Sequence, residues 1–422
     1  MAYAFERKHR IAVLGGGPGG YEAALTGAQL GAEVTLIERA GVGGSAVITD
    51  VVPSKSLIAT AEGVNAIREA NNLGVQTYVP SGDGKPVRPE VAVNLAAVNK
   101  RLIAMAGAQS TDMLNTLEEA GVRVVQGEGR LDGSNAIIVS TASGDEGTDF
   151  DRIEADTIVI SVGASPRELD SAKPDGERIL TWTQLYDMKA IPDHLIVVGS
   201  GVTGAEFASA YRALGAEVTL VSSRDQVLPG EDSDAAAVIQ KVFKRSGMTV
   251  LNKSRADSVV RDGDGVLVTL SDGREVRGSH CLMAVGSIPN TAGLGLRAAG
   301  VQLTESGHIR VNKVARTSMP SIYAAGDCTD FFPLASVASM QGRTAMMHAL
   351  GDSVRPIELR NVASNIFTQP EIATVGVSEE DLEERDGVSK TVTVKLPLKI
   401  NPRAKMMGIK EGFVKIFAAQ GS

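Results

Sequence analysis

Two glycine-rich turns carry the most legible chemistry in this chain of 422 residues. Gly15-x-Gly17-x-x-Gly20, with Pro18 and Gly19 inside it, places backbone N–H groups at the start of a run of good helix formers. Donors at a helix N-terminus, reinforced by the helix dipole, suit a pyrophosphate, and the glycines let the backbone turn tightly and approach it. Glu38 follows 18 residues after Gly20, at the end of the next apolar run, where a carboxylate can accept hydrogen bonds from ribose hydroxyls. A second turn, Gly199-x-Gly201-Val202-Thr203-Gly204, repeats the device, but the position 18 residues after Gly204 holds Ser222. A carboxylate there would repel a 2′-phosphate, whereas Ser222, Ser223 and Arg224 offer two hydroxyls and a guanidinium that suit one. The second turn therefore reads as an NADPH site that also accepts NADH; an exposed surface charge is the alternative reading of Arg224.

Strands and helices must aim these turns. Residues 11–14 form an apolar strand, 21–30 a helix and 32–37 a second strand; residues 195–198, 205–214 and 217–221 repeat that order. The repeat extends to wording, since LGAEVTLIE (30–38) recurs as LGAEVTLVS (214–222). Such duplication predicts two nucleotide-binding domains of related fold. Residues 56–120 read as mostly helical around a Gly/Pro/Ser-rich loop at 80–89. Strands are expected at 122–126, 136–141 and 156–162, with a polar hairpin around 144–147 and a second hairpin over 259–270. The chain turns strand-like again from 361, with a helix proposed at 379–384.

Composition fits a soluble globular protein of two to three domains, with 43% hydrophobic and 22% charged residues. A net charge of −8 with both signs interspersed gives no case for nucleic acid. The basic start Arg7–Arg10 precedes an apolar run only four residues long, too short for an export signal, and no stretch approaches a membrane span. Cys281 and Cys328 form neither a CxxC nor a metal-ligand pattern, and no metal site is read. They read as buried reduced thiols of a cytoplasmic protein, a replacement redox pair being the alternative.

Residues 43–55, GGSAVITDVVPSK, resemble the redox-active segment of the pyridine nucleotide–disulfide oxidoreductases, which include dihydrolipoamide dehydrogenase and glutathione reductase. In that family two cysteines of the segment relay electrons from flavin to a disulfide; Ala46 and Val51 stand in their places here. Neither side chain can form a thiolate, so dithiol exchange is chemically unavailable at this site. Residues 317–327, TSMPSIYAAGD, resemble the family's second FAD motif, and SVGASP (161–166) and AVGSIPN (284–290) its two domain crossovers. The resemblance covers essentially the whole chain.

The resemblance implies an α/β fold of two Rossmann-like doubly wound domains, one inserted in the other, with a C-terminal α+β dimerisation domain. The expected bounds are 1–170 and 286–352 for FAD, 171–285 for NAD(P), and 353–422 for the interface. The chain stops at Ser422 just after the strand EGFVKIFAA, so either a terminal segment is missing or the interface domain is shortened. Implied FAD contacts are Gly15, Gly17, Pro18, Gly19, Gly20, Glu38, Arg39, Gly44, Ser45, Lys55, Gly129, Gly163, Gly326, Asp327, Leu334 and Ala335. Asp327 would bind the ribityl chain, and the helix starting at Leu334-Ala335 would point its N-terminus at the flavin pyrimidine. Implied NAD(P) contacts are Gly199, Gly201, Val202, Thr203, Gly204, Glu206, Ser222, Ser223, Arg224 and Gly286. Lys55 and Glu206 match the family pair beside flavin N5 and are the expected catalytic residues; a solvated lysine beside an unrelated glutamate is the alternative.

The family's general-acid histidine has no counterpart among His9, His194, His280, His308 and His348. With the dithiol absent, the resemblance narrows to the quinone-reducing branch: NADPH reduces FAD, which passes electrons directly to a quinone or other small acceptor. A soluble transhydrogenase and a non-catalytic FAD-binding module are the alternatives. A homodimer is implied by the resemblance alone.

Overall fold

The computed structural model describes residues 7–78, 85, 87, 90–142, 148–379, 382 and 391–419. The loop expected at 80–89, the hairpin tip at 144–147 and the helix at 379–384 lie largely outside these residues. The chain forms two compact units. One comprises residues up to Pro53, Ile103–Pro166 and Ser287–Val362; the other comprises Ser54–Leu102, Arg167–Gly286 and the residues from Ala363 onward. The boundaries at 166/167 and 286/287 fall at the two crossovers read from sequence. The helical stretch 54–102, expected with the first nucleotide-binding domain, packs instead with the second unit.

In the first unit, short apolar runs are buried on both faces, as strands of a parallel sheet must be. Five strands lie in the order Ile322–Ala324, Thr157–Ile160, Arg10–Leu14, Glu33–Glu38, Arg123–Gln126, all parallel. Ala12, Val13, Leu36, Ile158 and Val159 are fully buried. Each large side chain among them contributes about 2–3 kcal/mol by leaving water. Helix Pro18–Gln29 starts with proline at its first turn, where no N–H is lost. It lies close on the sheet because Gly27 faces Ile11 and Val34. Helix Ala335–Ala349 packs beside it at Gly342, where a Cβ would overlap the Gly19 carbonyl oxygen. An antiparallel three-stranded sheet, Glu128–Leu131, Ala136–Ala142 and Thr148–Glu154, completes this unit's larger sheets.

The second unit repeats the plan. Its parallel sheet runs Thr249–Leu251, Glu217–Val221, His194–Val198, His280–Met283, Ile179–Thr181. The hairpin expected at 259–270 is present as Ala256–Asp262 and Gly265–Leu270, with Asp262 opposite Gly265. Helices Val51–Glu69 and Leu95–Glu119 supply Leu57, Ile58, Leu95 and Leu102 to a core shared with Phe207, Tyr211 and Phe243. That shared core is why residues 54–102 belong with this unit: their apolar stripe meets its helix Val202–Leu214. Strands Thr391–Pro397 and Phe413–Ala419 pair antiparallel. No helix among the described residues is long and apolar enough to cross a membrane.

Candidate functional site: two nucleotide cradles and a buried ion pair

The first cradle sits at the C-terminal ends of strands Arg10–Leu14 and Glu33–Glu38, where open parallel sheets bind ligands. Gly15 has φ +96°, and a Cβ on it would overlap the Ser161 carbonyl oxygen. No other residue type fits there. A Cβ on Gly20 would overlap the Gly15 carbonyl oxygen, so the helix starts as close to the strand as chain geometry permits. Gly17 caps that helix in an extended conformation with no side-chain partner, leaving the first-turn N–H groups available. Gly19 packs against Ala325, and a Cβ on Gly44 would come 2.8 Å from the Gly17 Cα, so the segment 43–45 lies directly on the turn.

Glu38 staples this cradle. Its Oε2 accepts the Gly16 N–H at 2.6 Å, and its Oε1 accepts those of Ala40 at 2.7 Å and Gly41 at 3.3 Å. A carboxylate has about four lone-pair sites, so capacity remains for a ribose hydroxyl. Arg39 is exposed and reaches Glu128 at 3.4 Å. Gly129 lies in strand Glu128–Leu131, where a Cβ would crowd Leu14 at 2.6 Å; its part here is close packing under the cradle. The Gly163 carbonyl accepts the Asn290 N–H, and Asn290 ties the crossover further through Val162 and Ser165.

Asp327 follows strand Ile322–Ala324 and is half-buried. Its carboxyl makes no hydrogen bond with any described residue, and burial raises its pKa above the ordinary aspartate value. The backbone beneath it is held by Gln341, a fully buried side chain that accepts the Gly326 N–H at 2.7 Å and donates to Thr329 at 3.2 Å. Sequence reasoning missed Gln341; only its helical position beside the Gly-Asp turn could have flagged it. Helix Ala335–Ala349 has Leu334 as its N-cap, with no side chain capping its first N–H groups and no acid in its first turn. A partnerless, desolvated carboxyl and two uncapped helix starts in one unit fit a dinucleotide carrying hydroxyls, phosphates and an electron-rich ring.

Residues 44–51 end this unit's chemistry. Ala46 lies in the short helix Gly44–Ile48 and is half-buried, beside the exposed Ser45; Val51 begins the next helix and is exposed. The two cysteines are free and fully buried. Burial pushes the Cys328 thiol up to about 12 and Cys281 higher still, so neither supplies a thiolate at neutral pH.

The second cradle mirrors the first. Gly199 has φ +110° and crowds the Ala284 carbonyl oxygen, and Gly204 crowds Gly199. Gly201 caps helix Val202–Leu214 and has open space around it; Val202 is exposed and Thr203 half-buried. Gly286 is exposed, its carbonyl accepting the Arg167 N–H at 2.9 Å. The two cradles differ at one contact. Where Glu38 grips the Gly16 N–H, the second cradle pairs the Ser200 and Ser222 hydroxyls at 2.6 Å. Ser222 is fully buried and also accepts the Arg224 N–H at 3.2 Å. Its hydroxyl is spent inside the loop, which corrects the expectation of two free hydroxyls: Ser223 and Arg224 are the exposed pair.

One turn along the same helix, Glu206 is buried. Its Oε2 receives Lys55 Nζ at 2.7 Å and its Oε1 the Phe367 N–H at 2.9 Å, while Lys55 lies 5.2 Å from the Phe367 ring centre. The ion pair expected from sequence is formed. Phe367, which satisfies the second carboxylate oxygen, was not foreseen, and no motif around it signals that role.

Residues 9–342 match the family model described as pyridine nucleotide-disulphide oxidoreductase, and residues 362–422 match that family's dimerisation domain. The chain is 49% identical, over 98% of its length and 83% of the relative's, to an NAD(P)H dehydrogenase (quinone) of Mycobacterium tuberculosis. It is 34% identical to a dihydrolipoyl dehydrogenase of Zymomonas mobilis, over 96% of this chain and 84% of the relative. The crystal structure of LpdA from Mycobacterium tuberculosis aligns with a TM-score of 0.88 at 48% identity, over 98% of this chain and 87% of that one. A flavoprotein disulfide reductase of Escherichia coli, RclA, shares the fold with a TM-score of 0.81 at 24% identity, over 97% of this chain and 87% of that one.

Proposed function

Because the chain belongs to the pyridine nucleotide-disulphide oxidoreductase family, whose members use FAD and NAD(P)H, we propose that it is an NADPH:quinone oxidoreductase working without a protein dithiol. The observation that carries this reading is the pairing of two intact nucleotide cradles with Ala46 and Val51 where a redox disulfide would stand. Similarity to the Mycobacterium tuberculosis NAD(P)H dehydrogenase (quinone) supports it.

In this reading the first cradle holds the dinucleotide. Backbone N–H groups of Gly17, Gly19 and Gly20 take the pyrophosphate, Glu38 the adenosine ribose and Asp327 a ribityl hydroxyl. When bound, FAD supplies the chemistry that takes hydride from a nicotinamide and returns electrons to an oxidant. The uncapped first turn of Ala335–Ala349 favours negative charge on the bound ring. The second cradle takes the NADPH pyrophosphate at Gly201–Gly204, and the Lys55–Glu206 pair orients the nicotinamide by presenting a fixed, internally neutral polar surface. Ala46 and Val51 leave apolar surface that suits a flat quinone. Protons for the product come from solvent.

The working form is a cytoplasmic homodimer assembled through the residues that match the dimerisation domain. The experiment compares NADPH oxidation by flavin-loaded protein with menadione, lipoamide and a nicotinamide analogue side by side. Menadione turnover alone supports the reading. Fast analogue reduction without menadione turnover makes the protein a transhydrogenase, and negligible turnover with every acceptor makes it a binding module.

A further inference from the structure

The loop carrying Arg224 is joined to a second loop by a continuous run of hydrogen bonds. Strand Glu217–Val221 lies beside Thr249–Leu251 in parallel, so both chains leave the sheet at the same edge. Beyond that edge the Ser222 N–H donates to Leu251 O at 2.8 Å, the Ser254 N–H to Ser222 O at 2.8 Å, and the Lys253 N–H to Arg224 O at 2.9 Å. The Asn252 amide adds a bond to Asp225 O at 2.8 Å. Lys253 therefore sits beside Arg224, anchored through the backbone.

Two further facts mark Lys253. Its φ is +52°, a left-handed conformation that costs a lysine about 1–2 kcal/mol and persists only where the surroundings impose it. Its ammonium lies 3.3 Å from the Asp225 carboxylate, and both side chains are largely exposed. The Arg224 guanidinium is also exposed and has no hydrogen-bond or ionic partner among the described residues. Residues 222–226 and 251–255 together carry Arg224, Lys253 and Arg255 against Asp225 alone, within a chain of net charge −8.

We propose that Lys253 is a specificity-determining residue for the 2′-phosphate of NADPH, acting with Arg224 as a two-cation clamp. This rests on the NADPH preference proposed above and adds a second loop to it. Asp225 holds Lys253 beside Arg224 until a phosphate arrives and competes with it for the ammonium. A dianionic phosphate draws the ammonium away from the single carboxylate, because two charges outbid one at equal distance. NADH, lacking that phosphate, leaves the Lys253–Asp225 pair intact and gains nothing from either cation.

The test measures binding of 2′,5′-ADP and of 5′-AMP to flavin-loaded protein by calorimetry at low salt. Asparagine tolerates positive φ, so Lys253→Asn removes the charge while keeping the backbone, and Lys253→Arg restores it. Lys253→Asn should weaken 2′,5′-ADP about five- to tenfold and leave 5′-AMP unchanged, with Lys253→Arg close to the parent. Asp225→Asn should tighten 2′,5′-ADP. If the parent prefers 2′,5′-ADP, Arg224→Ala abolishes that preference and Lys253→Asn does not touch it, the clamp is wrong and the NADPH reading stands. A parent that binds both probes equally overturns both.

Discussion

Replacing Lys55 by methionine perturbs the candidate site at its most buried charge. The Glu206 side chain is only 5% exposed, and without Lys55 its carboxylate keeps the Phe367 N–H alone. Removing one partner of a buried ion pair costs about 3–5 kcal/mol. Lys55 is 31% exposed, and the Phe367 bond remains, so the expected loss is about 2–3 kcal/mol. Glu206→Gln keeps an acceptor for Phe367 and should cost about 1–2 kcal/mol. The double variant should be less damaged than Lys55→Met alone, giving a coupling energy of about 2 kcal/mol.

Urea unfolding of the flavin-loaded single and double variants at neutral pH measures the coupling. Additive single and double variants would refute the reasoning. The same Lys55→Met protein should show NADPH-driven flavin reduction slowed about tenfold or more, equivalent to about 1.4 kcal/mol of barrier. An unchanged rate would remove the pair from the catalytic account.

Three other outcomes follow from particular contacts. A glutamate at 222 needs room at 200, since a Cβ on the equivalent Gly16 would lie 3.2 Å from Glu38 Oε2. Ser200→Gly/Ser222→Glu should therefore shift kcat/KM toward NADH about tenfold or more, whereas Ser222→Glu alone should lose stability without a clean switch; the ratio of the two cofactors' kcat/KM checks this. Asp327→Asn should stabilise the flavin-free chain at neutral pH by about 0.5–1.5 kcal/mol, because a desolvated charge is removed, while weakening FAD binding. Melting curves with and without FAD separate the two effects. His280 is held down to about 4 by burial and by Arg178, so the unfolded chain takes up that proton first as pH falls. Stability should drop by about 1–2 kcal/mol between about pH 6.5 and 4, and His280→Asn should flatten that slope in urea titrations.

The paired cradles were legible in sequence because each depends on local rules: an apolar run, glycines at fixed offsets, and a residue 18 positions on. The repeat 30–38 and 214–222 exposed both units, and the substitution of Ser222 for a carboxylate was visible in the alignment of the two halves. What that substitution does was not. Ser222 turns inward because Ser200 offers it a hydroxyl partner across 22 residues, a contact no spacing rule specifies. Gln341, Phe367 and Lys253 were missed for the same reason: each acts through a hydrogen bond between groups distant in sequence. The placement of residues 54–102 with the second unit is likewise a matter of long-range packing, which helical periodicity alone does not fix.

The central claim is that electrons reach the acceptor without passing through protein sulfur. The chain has only two cysteines, Cys281 and Cys328, both buried and free, so a sulfhydryl-free protein is within reach of one double variant, Cys281→Ala/Cys328→Ala. Flavin-loaded and correctly folded, it should oxidise NADPH with menadione at the parent's rate and leave lipoamide untouched. Loss of menadione turnover with flavin absorbance intact, or lipoamide turnover by the parent that vanishes in the variant, would contradict the account.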